Sequence, residues 1–449
     1  MKKLLAITLA LVLVLSLLAG CGSNAESTSA GGMTAEEEAK LDAAVTFDNS
    51  SEAVDVEAVK ANNAEELKKI KVGFILLHDE NSTYDLNFMR AAEKASEDFG
   101  VEYIIRTNVP EGQECYDAAA ELVDAGCTHV FADSFGHEPY MIQAAKEFKD
   151  VEFCHATGVK AHTEALPNYH NAFATIYEGR YLAGVAAGLK LKEMIDSGKV
   201  PADQAKVGYI GAFTYAEVIS GYTSWYLGVK SIVPQVTMEV TFTGSWYDET
   251  AEREAANNLI NNGCVIISQH ADSMGAPTAC ETAGVPNVSY NGSTADACPN
   301  TFIISSRINW CSYFYTIIGR IAQGGTINMD WTGDLANGAV EMTELGPVAP
   351  AAGTAEKLEE VKAELISGKL HVFDVNAFTV TVTDSQNQNA TVDADGHLTS
   401  YKADVNDWGT FHGDTEVVYD GYFHESEFRS GPVFDLQIDG ITLLDVNFG

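Results

Sequence analysis

Lys71-Val72-Gly73-Phe74-Ile75-Leu76-Leu77 carries one charge at its start and is otherwise apolar, and its length and composition predict a buried strand. Outward from it, a polar loop leads to an amphipathic helix ending near Phe99. A strand over Val101–Arg106, a helix over Glu114–Ala125 and a strand over His129–Ala132 follow. Units alternating in this way predict an α/β fold with a parallel sheet covered by helices on both faces. The opening then recurs: Lys206-Val207-Gly208-Tyr209-Ile210 repeats it at an offset of 135 residues. Tyr247-Asp248 answers Tyr116-Asp117 at 131, Gly263-Cys264 answers Gly126-Cys127 at 137, and Asp272-Ser273 answers Asp133-Ser134 at 139. The shared order of these landmarks predicts two similar α/β lobes. Ligands of open parallel sheets bind beyond the carboxyl ends of the strands, so a cleft between the lobes is expected. Its walls would be the loops 78–85, 133–138, 212–222, 244–248, 269–273 and 291–294.

The chain has 449 residues, 64 acidic and 27 basic, for a formal charge of -37, with 46% hydrophobic residues. That apolar share is ample for globular domains. The negative balance argues against nucleic acid as a partner, whose phosphates need Lys and Arg, and against broad docking on anionic lipid. G-x-S-x-G, H-E-x-x-H, P-loop and G-x-G-x-x-G patterns are absent. No metal-ligand spacing and no cofactor fingerprint stands out, and the expectation is a protein that is not an enzyme.

Lys2 and Lys3 precede the apolar run Leu4–Leu18, and Leu18-Ala19-Gly20 leads into Cys21. The segment resembles a bacterial lipoprotein signal and is short for a membrane span of about 20 apolar residues; an ordinary secretory signal is the alternative. The expectation is a signal peptide over 1–20, lipidation at Cys21, and a flexible acidic tether over 21–69. The protein would then be lipid-anchored on the extracytoplasmic face of the cell membrane, touching the membrane through that anchor only. Of the seven later cysteines, Cys280 and Cys298 form the one pair worth testing as a disulfide. Cys127, Cys154 and Cys264 lie in or beside apolar runs and read as buried thiols.

The strand 71–77, Thr83-Tyr84, Glu178-Gly179-Arg180-Tyr181-Leu182-Ala183-Gly184 and Tyr209-Ile210-Gly211 occur in that order. With Ala216-Glu217-Val218-Ile219, Trp246-Tyr247-Asp248 and Gln269-His270-Ala271-Asp272-Ser273, they resemble the basic membrane protein family of ABC-transporter substrate-binding lipoproteins, the purine nucleoside receptor A type. The later set is similar to a branch associated with purine bases. The resemblance covers about residues 70–375. It implies a type I periplasmic-binding-protein fold of two Rossmann-like lobes: an N-lobe over 70–172 with 291–325, and a C-lobe over 173–290 with 326–375. A β-rich extension over 376–449 would follow, with Ala377–Asp384 as a half-buried strand by its alternation.

The resemblance further implies that a purine base or nucleoside is captured by lobe closure and passed to an ABC permease. Tyr84 stands where the family stacks a base on Phe, and Asp85 where Asn is common. Asn291 and Asn309 stand where nucleoside-binding members carry Asp and Lys, and neutral amides there favour a bare base. From position alone, Trp246 is a candidate second wall. Gln269, His270 and Asp272 are candidates for a purine edge, and Asp133 and Ser134 hold the equivalent place in the first lobe. Asp248 reads as a helix cap, and Glu178–Gly184 as a helix face packing on a sheet. Two alternatives stand beside transport: a ligand-sensing subunit signalling to a membrane partner, and a secreted nucleoside hydrolase.

Overall fold

The computed structural model describes residues 54–405 and 413–445. Cys21, the signal segment and most of the expected tether lie outside the described residues. Two sheets form the frame. The first contains β1 (Lys71–Ile75), β2 (Glu102–Arg106), β3 (His129–Ala132), β4 (Glu152–Ala156), β5 (Tyr169–Ala174) and, much later in the chain, β11 (Asp330–Gly333). Its order is β11-β5-β4-β3-β1-β2 and every pair is parallel. The second contains β6 (Lys206–Gly211), β7 (Thr237–Phe242), β8 (Ile267–Gln269), β9 (Asn287–Tyr290), β10 (Phe302–Ile308) and β12 (Val340–Met342). It is parallel apart from the β10–β12 pair. Both are α/β lobes of the kind the repeat predicts. One landmark differs in detail: Tyr116-Asp117 lies inside the helix Gln113–Asp124, whereas Asp248 caps the helix Glu249–Asn261.

The lobe boundaries need correction. The expected N-lobe includes 291–325, yet β10 pairs with β9 in the second sheet. The expected C-lobe includes 326–375, yet β11 pairs with β5 in the first. The chain therefore changes lobe after β5, again between β10 and the helix Cys311–Ala322, and a third time between β11 and β12. That helix packs on the first lobe, with the Phe314 ring 5.1 Å from Phe74. Buried strands of either lobe are equally apolar, so only long-range pairing reveals where each belongs.

The expected tether also ends earlier than 69. Asp55 caps the helix Val56–Asn62 by accepting from the Ala58 N–H, and Val59, Leu67 and Ile70 are buried against the first lobe. The helix Ile176–Asp196 packs chiefly on another helix, Ala216–Ile232, rather than face-on to a sheet. A Cβ on Gly184 would overlap the Trp225 carbonyl, and one on Gly228 the Tyr181 carbonyl, so the crossing depends on both glycines.

The segment after 375 is β-rich only in short pieces. β13 (Ala390–Val392), β14 (Leu398–Ala403) and β15 (Thr415–Glu416) form one small sheet, and β16 (Val418–Tyr419) pairs with β17 (Tyr422–Phe423). β18 (Ile441–Leu443) joins the second sheet beside β7. Ala377–Asp384 forms no ladder: Phe378 and Val380 are buried, but Val382 is 40% exposed. The segment touches both lobes. The Ser430 N–H donates to Asp330 Oδ2 of β11 at 2.9 Å, while Tyr222 of the second lobe donates to Gln437 at 3.0 Å. The rings of Phe373 and Phe434 stack with centroids 4.2 Å apart. All seven described cysteines are free thiols, Cys280 and Cys298 included.

Candidate ligand-binding site

The carboxyl ends of both sheets meet around a cleft cavity that, with the solvent space open to it, encloses about 350 Å³. The lobes are closed on it. The Thr83 N–H from the first lobe donates to the Asp272 carbonyl of the second at 3.1 Å. Phe135 and Tyr215 meet across the gap with ring centroids 4.8 Å apart.

The first-lobe wall grows from β1. Ser82 caps the helix Thr83–Phe99, accepting from the Asp85 N–H and donating its hydroxyl to Asp85 Oδ2 at 2.6 Å. The His78 N–H donates to the other Asp85 oxygen at 2.7 Å. Burial opposes the Asp85 charge, but these bonds from His78 and Ser82 hold its pKa below the ordinary value. Asp85 thus lines the cavity with both oxygens engaged. Beside it the Tyr84 hydroxyl donates to the Asp133 carbonyl at 2.8 Å, and the ring stands edge-on to Phe88. Ser134 reaches the cavity too, with its hydroxyl held by Glu111 at 2.6 Å. Asp133 does not line it. Its Oδ1 accepts from the Leu77 N–H at 3.1 Å, and burial, aided by the nearby Asp85 charge, pushes its pKa well up.

The second-lobe wall comes from the loops after β6, β7, β8 and β9. Trp246, His270 and Asp272 line the cavity, and the Asp272 N–H donates to the Trp246 carbonyl at 2.9 Å. Asp272 is fully desolvated among carboxylates. Burial first, then Asp85, Glu252 and Glu217, raises its pKa well above the usual range. Gln269 faces away: its amide donates to the Ala271 and Ser273 carbonyls at 2.9 and 3.2 Å, fixing the loop rather than meeting a ligand. Asn291 is buried in the left-handed region at φ 64°, a conformation Asn tolerates, and does not line the cavity.

Asn309 is not part of this site. Its amide donates to Glu341 at 3.0 Å and its side-chain oxygen caps Cys311, placing it at the crossover between β10 and the next helix. Neither amide lines the cavity, so the inference that paired amides at 291 and 309 favour a bare base loses both of its residues. Asp248 is a cap, accepting from Thr250 and Ala251. Sequence reasoning did not single out Glu217, Tyr290, His78, Phe135 and Thr157, which all line the cavity. Glu217, His78 and Phe135 lie inside loops marked as candidate walls, and for Glu217 an acid in the first turn after a buried strand is the available signal.

Two Rossmann-like lobes shut on a small polar-and-aromatic cavity are the architecture of type I periplasmic binding proteins, the solute-binding class. The chain belongs to the Bmp family, described as ABC transporter substrate-binding protein PnrA-like, whose sequence profile it matches over residues 75–374. It is 31% identical over 319 residues to a purine-binding protein of Brucella abortus, covering 70% of this chain and 85% of that one. A Haloferax volcanii protein named as an ABC transporter glucose-binding protein is 28% identical over 249 residues, covering 56% of this chain and 60% of that one. A solved solute-binding protein of an ABC transporter from Conexibacter woesei shares the fold, with TM-score 0.55 and 20% identity, covering 67% of this chain and 98% of that one. Family and relatives are substrate-binding proteins rather than enzymes, and such proteins work outside the cytoplasm with ABC permeases. No described helix is long and apolar enough to cross a membrane.

Proposed function

We propose that this protein is the extracytoplasmic receptor of an ABC importer for a purine base or nucleoside, tethered through a lipid on Cys21. The observation that carries the ligand reading is the cavity's wall chemistry. The rings of Tyr84 and Trp246 come from opposite lobes, and the buried carboxyl groups of Asp272 and Glu217 line the same cavity. A purine has two flat faces for rings and N–H groups for such acceptors. The Brucella relative's name agrees with this chemistry. The mechanism is hinge closure: ligand bridges the two walls, the closed state is favoured by its contacts with both, and a permease reads that state.

Calorimetric titration with adenine, hypoxanthine, guanine, adenosine and glucose tests the ligand. At least one purine is expected to bind tightly, and glucose not at all. Binding of glucose with no response to any purine would replace this reading with a sugar receptor. Metabolic labelling with a fatty acid tests the anchor: incorporation should vanish in Cys21→Ser.

A further inference from the structure

We propose that Arg180, acting through Tyr209 and His270, fixes Glu217 at the cleft wall as a hydrogen-bond acceptor, so that the site selects planar ligands presenting an N–H donor there. The relay stands on the geometry of the protein alone; its ligand half rests on the purine reading above. Arg180 is fully buried, on the helix Ile176–Asp196, and lies outside the cavity. A guanidinium cannot lose its proton and has donors only, so in the interior it must find acceptors. It finds the Tyr209 hydroxyl oxygen, the Gln269 carbonyl at 2.7 Å, and the face of the Tyr290 ring 4.4 Å away.

The consequence passes outward one proton at a time. Because Tyr209 Oη accepts from Arg180, its own hydrogen is directed to the other polar atom within reach, His270 Nδ1 at 3.3 Å. With Nδ1 an acceptor, a neutral His270 carries its hydrogen on Nε2, which faces Glu217 Oε1 at 3.2 Å. Burial, above all, lowers the pKa of His270 and so favours the neutral ring, and Arg180 adds to this against the opposing pull of Glu217. The Trp246 and Tyr290 rings complete its surroundings. Glu217 is then an acceptor toward His270, and its remaining carboxylate oxygen is available to the cavity that Glu217 lines. A ligand N–H meets an acceptor there, whereas a ligand carbonyl at the same point would face like partial charge. Arg180 and Tyr209 are thus positioning residues.

Nitrogen-15 NMR of the ligand-free full chain, labelled at histidine and assigned by the signal lost in His270→Gln, reads the relay directly. Near pH 7, a pyridine-type Nδ1 and a pyrrole-type Nε2 are expected. Tyr209→Phe removes one oxygen, and should abolish that fixed tautomer and weaken adenine binding about tenfold. An Nδ1–H tautomer or an imidazolium in the native protein would overturn the relay. So would a folded Tyr209→Phe protein with either native His270 signals or native adenine affinity. Should that variant not fold, the native spectrum decides the relay and Glu217→Gln decides the ligand half, with an expected loss of about tenfold and unchanged affinity as the refutation. A native protein indifferent to adenine, hypoxanthine, guanine and adenosine alike sinks the purine reading and leaves the tautomer to decide the relay by itself.

Discussion

Tyr84 illustrates how a side chain serves cleft and scaffold together: its ring lines the cavity while its hydroxyl is tied to the Asp133 carbonyl. Tyr84→Ala and Trp246→Ala should each weaken purine binding by about 1–3 kcal/mol in calorimetry, the range for losing a stacked ring. Tyr84→Ala should also lower unfolding stability by about 1 kcal/mol through the lost hydrogen bond, measured in denaturant. Asn309→Ala is the matching control. Its amide engages Glu341 and Cys311 away from the cavity, so adenine affinity should stay within about twofold of native. A tenfold loss in that variant would return Asn309 to the site.

Glu252 shows how an element holds a loop it does not belong to. From the helix Glu249–Asn261 its carboxyl accepts the Ser273 N–H, at 3.2 Å to each oxygen, and the Asp248 N–H, bracing the turn that carries His270 and Asp272. Burial pushes its pKa up to about 7 from 4.5. Its folded value lies above its unfolded value, so its contribution to stability is present below about 4.5 and is lost as pH rises towards 7. Relative to Glu252→Gln, which cannot ionise, the native protein should therefore lose roughly 3 kcal/mol of unfolding free energy across that window and stay level above it. A difference independent of pH would show that Glu252 remains charged when folded. The strands around such elements were legible in sequence because buried parallel strands read as short apolar runs. Their lobe was not, since β10 and β11 look alike until each finds its partner. The helix Val56–Asn62 escaped notice because a short charged segment shows too little apolar period. Gln269 lay in the right loop but on its far side, which depends on a turn that composition does not encode.

At the scale of the whole molecule, the segment after 375 ties the lobes together behind the cleft. Asp330 is one knot: its carboxylate accepts from the Ser430 N–H at 2.9 Å and pairs with His162 at 2.8 Å, all three residues being buried. Asp330→Ala should cost about 1–3 kcal/mol in denaturant unfolding, as expected when buried hydrogen-bond partners are left unsatisfied. Limited proteolysis should then cut within 413–445 before the lobes themselves open; native resistance there would mean that the tie does not depend on this carboxylate. The placement of the indole rings has an optical consequence. Trp225, Trp310 and Trp331 are at most 2% exposed and belong to the packed interior, whereas Trp246 is half-buried and faces the cavity. Among the described tryptophans, the interior three should give a steady emission background, and Trp246 should report occupancy of the cleft as a change in intensity or colour. Trp246→Phe should silence that response, so that one indole serves as the receptor's built-in fluorescent gauge of filling.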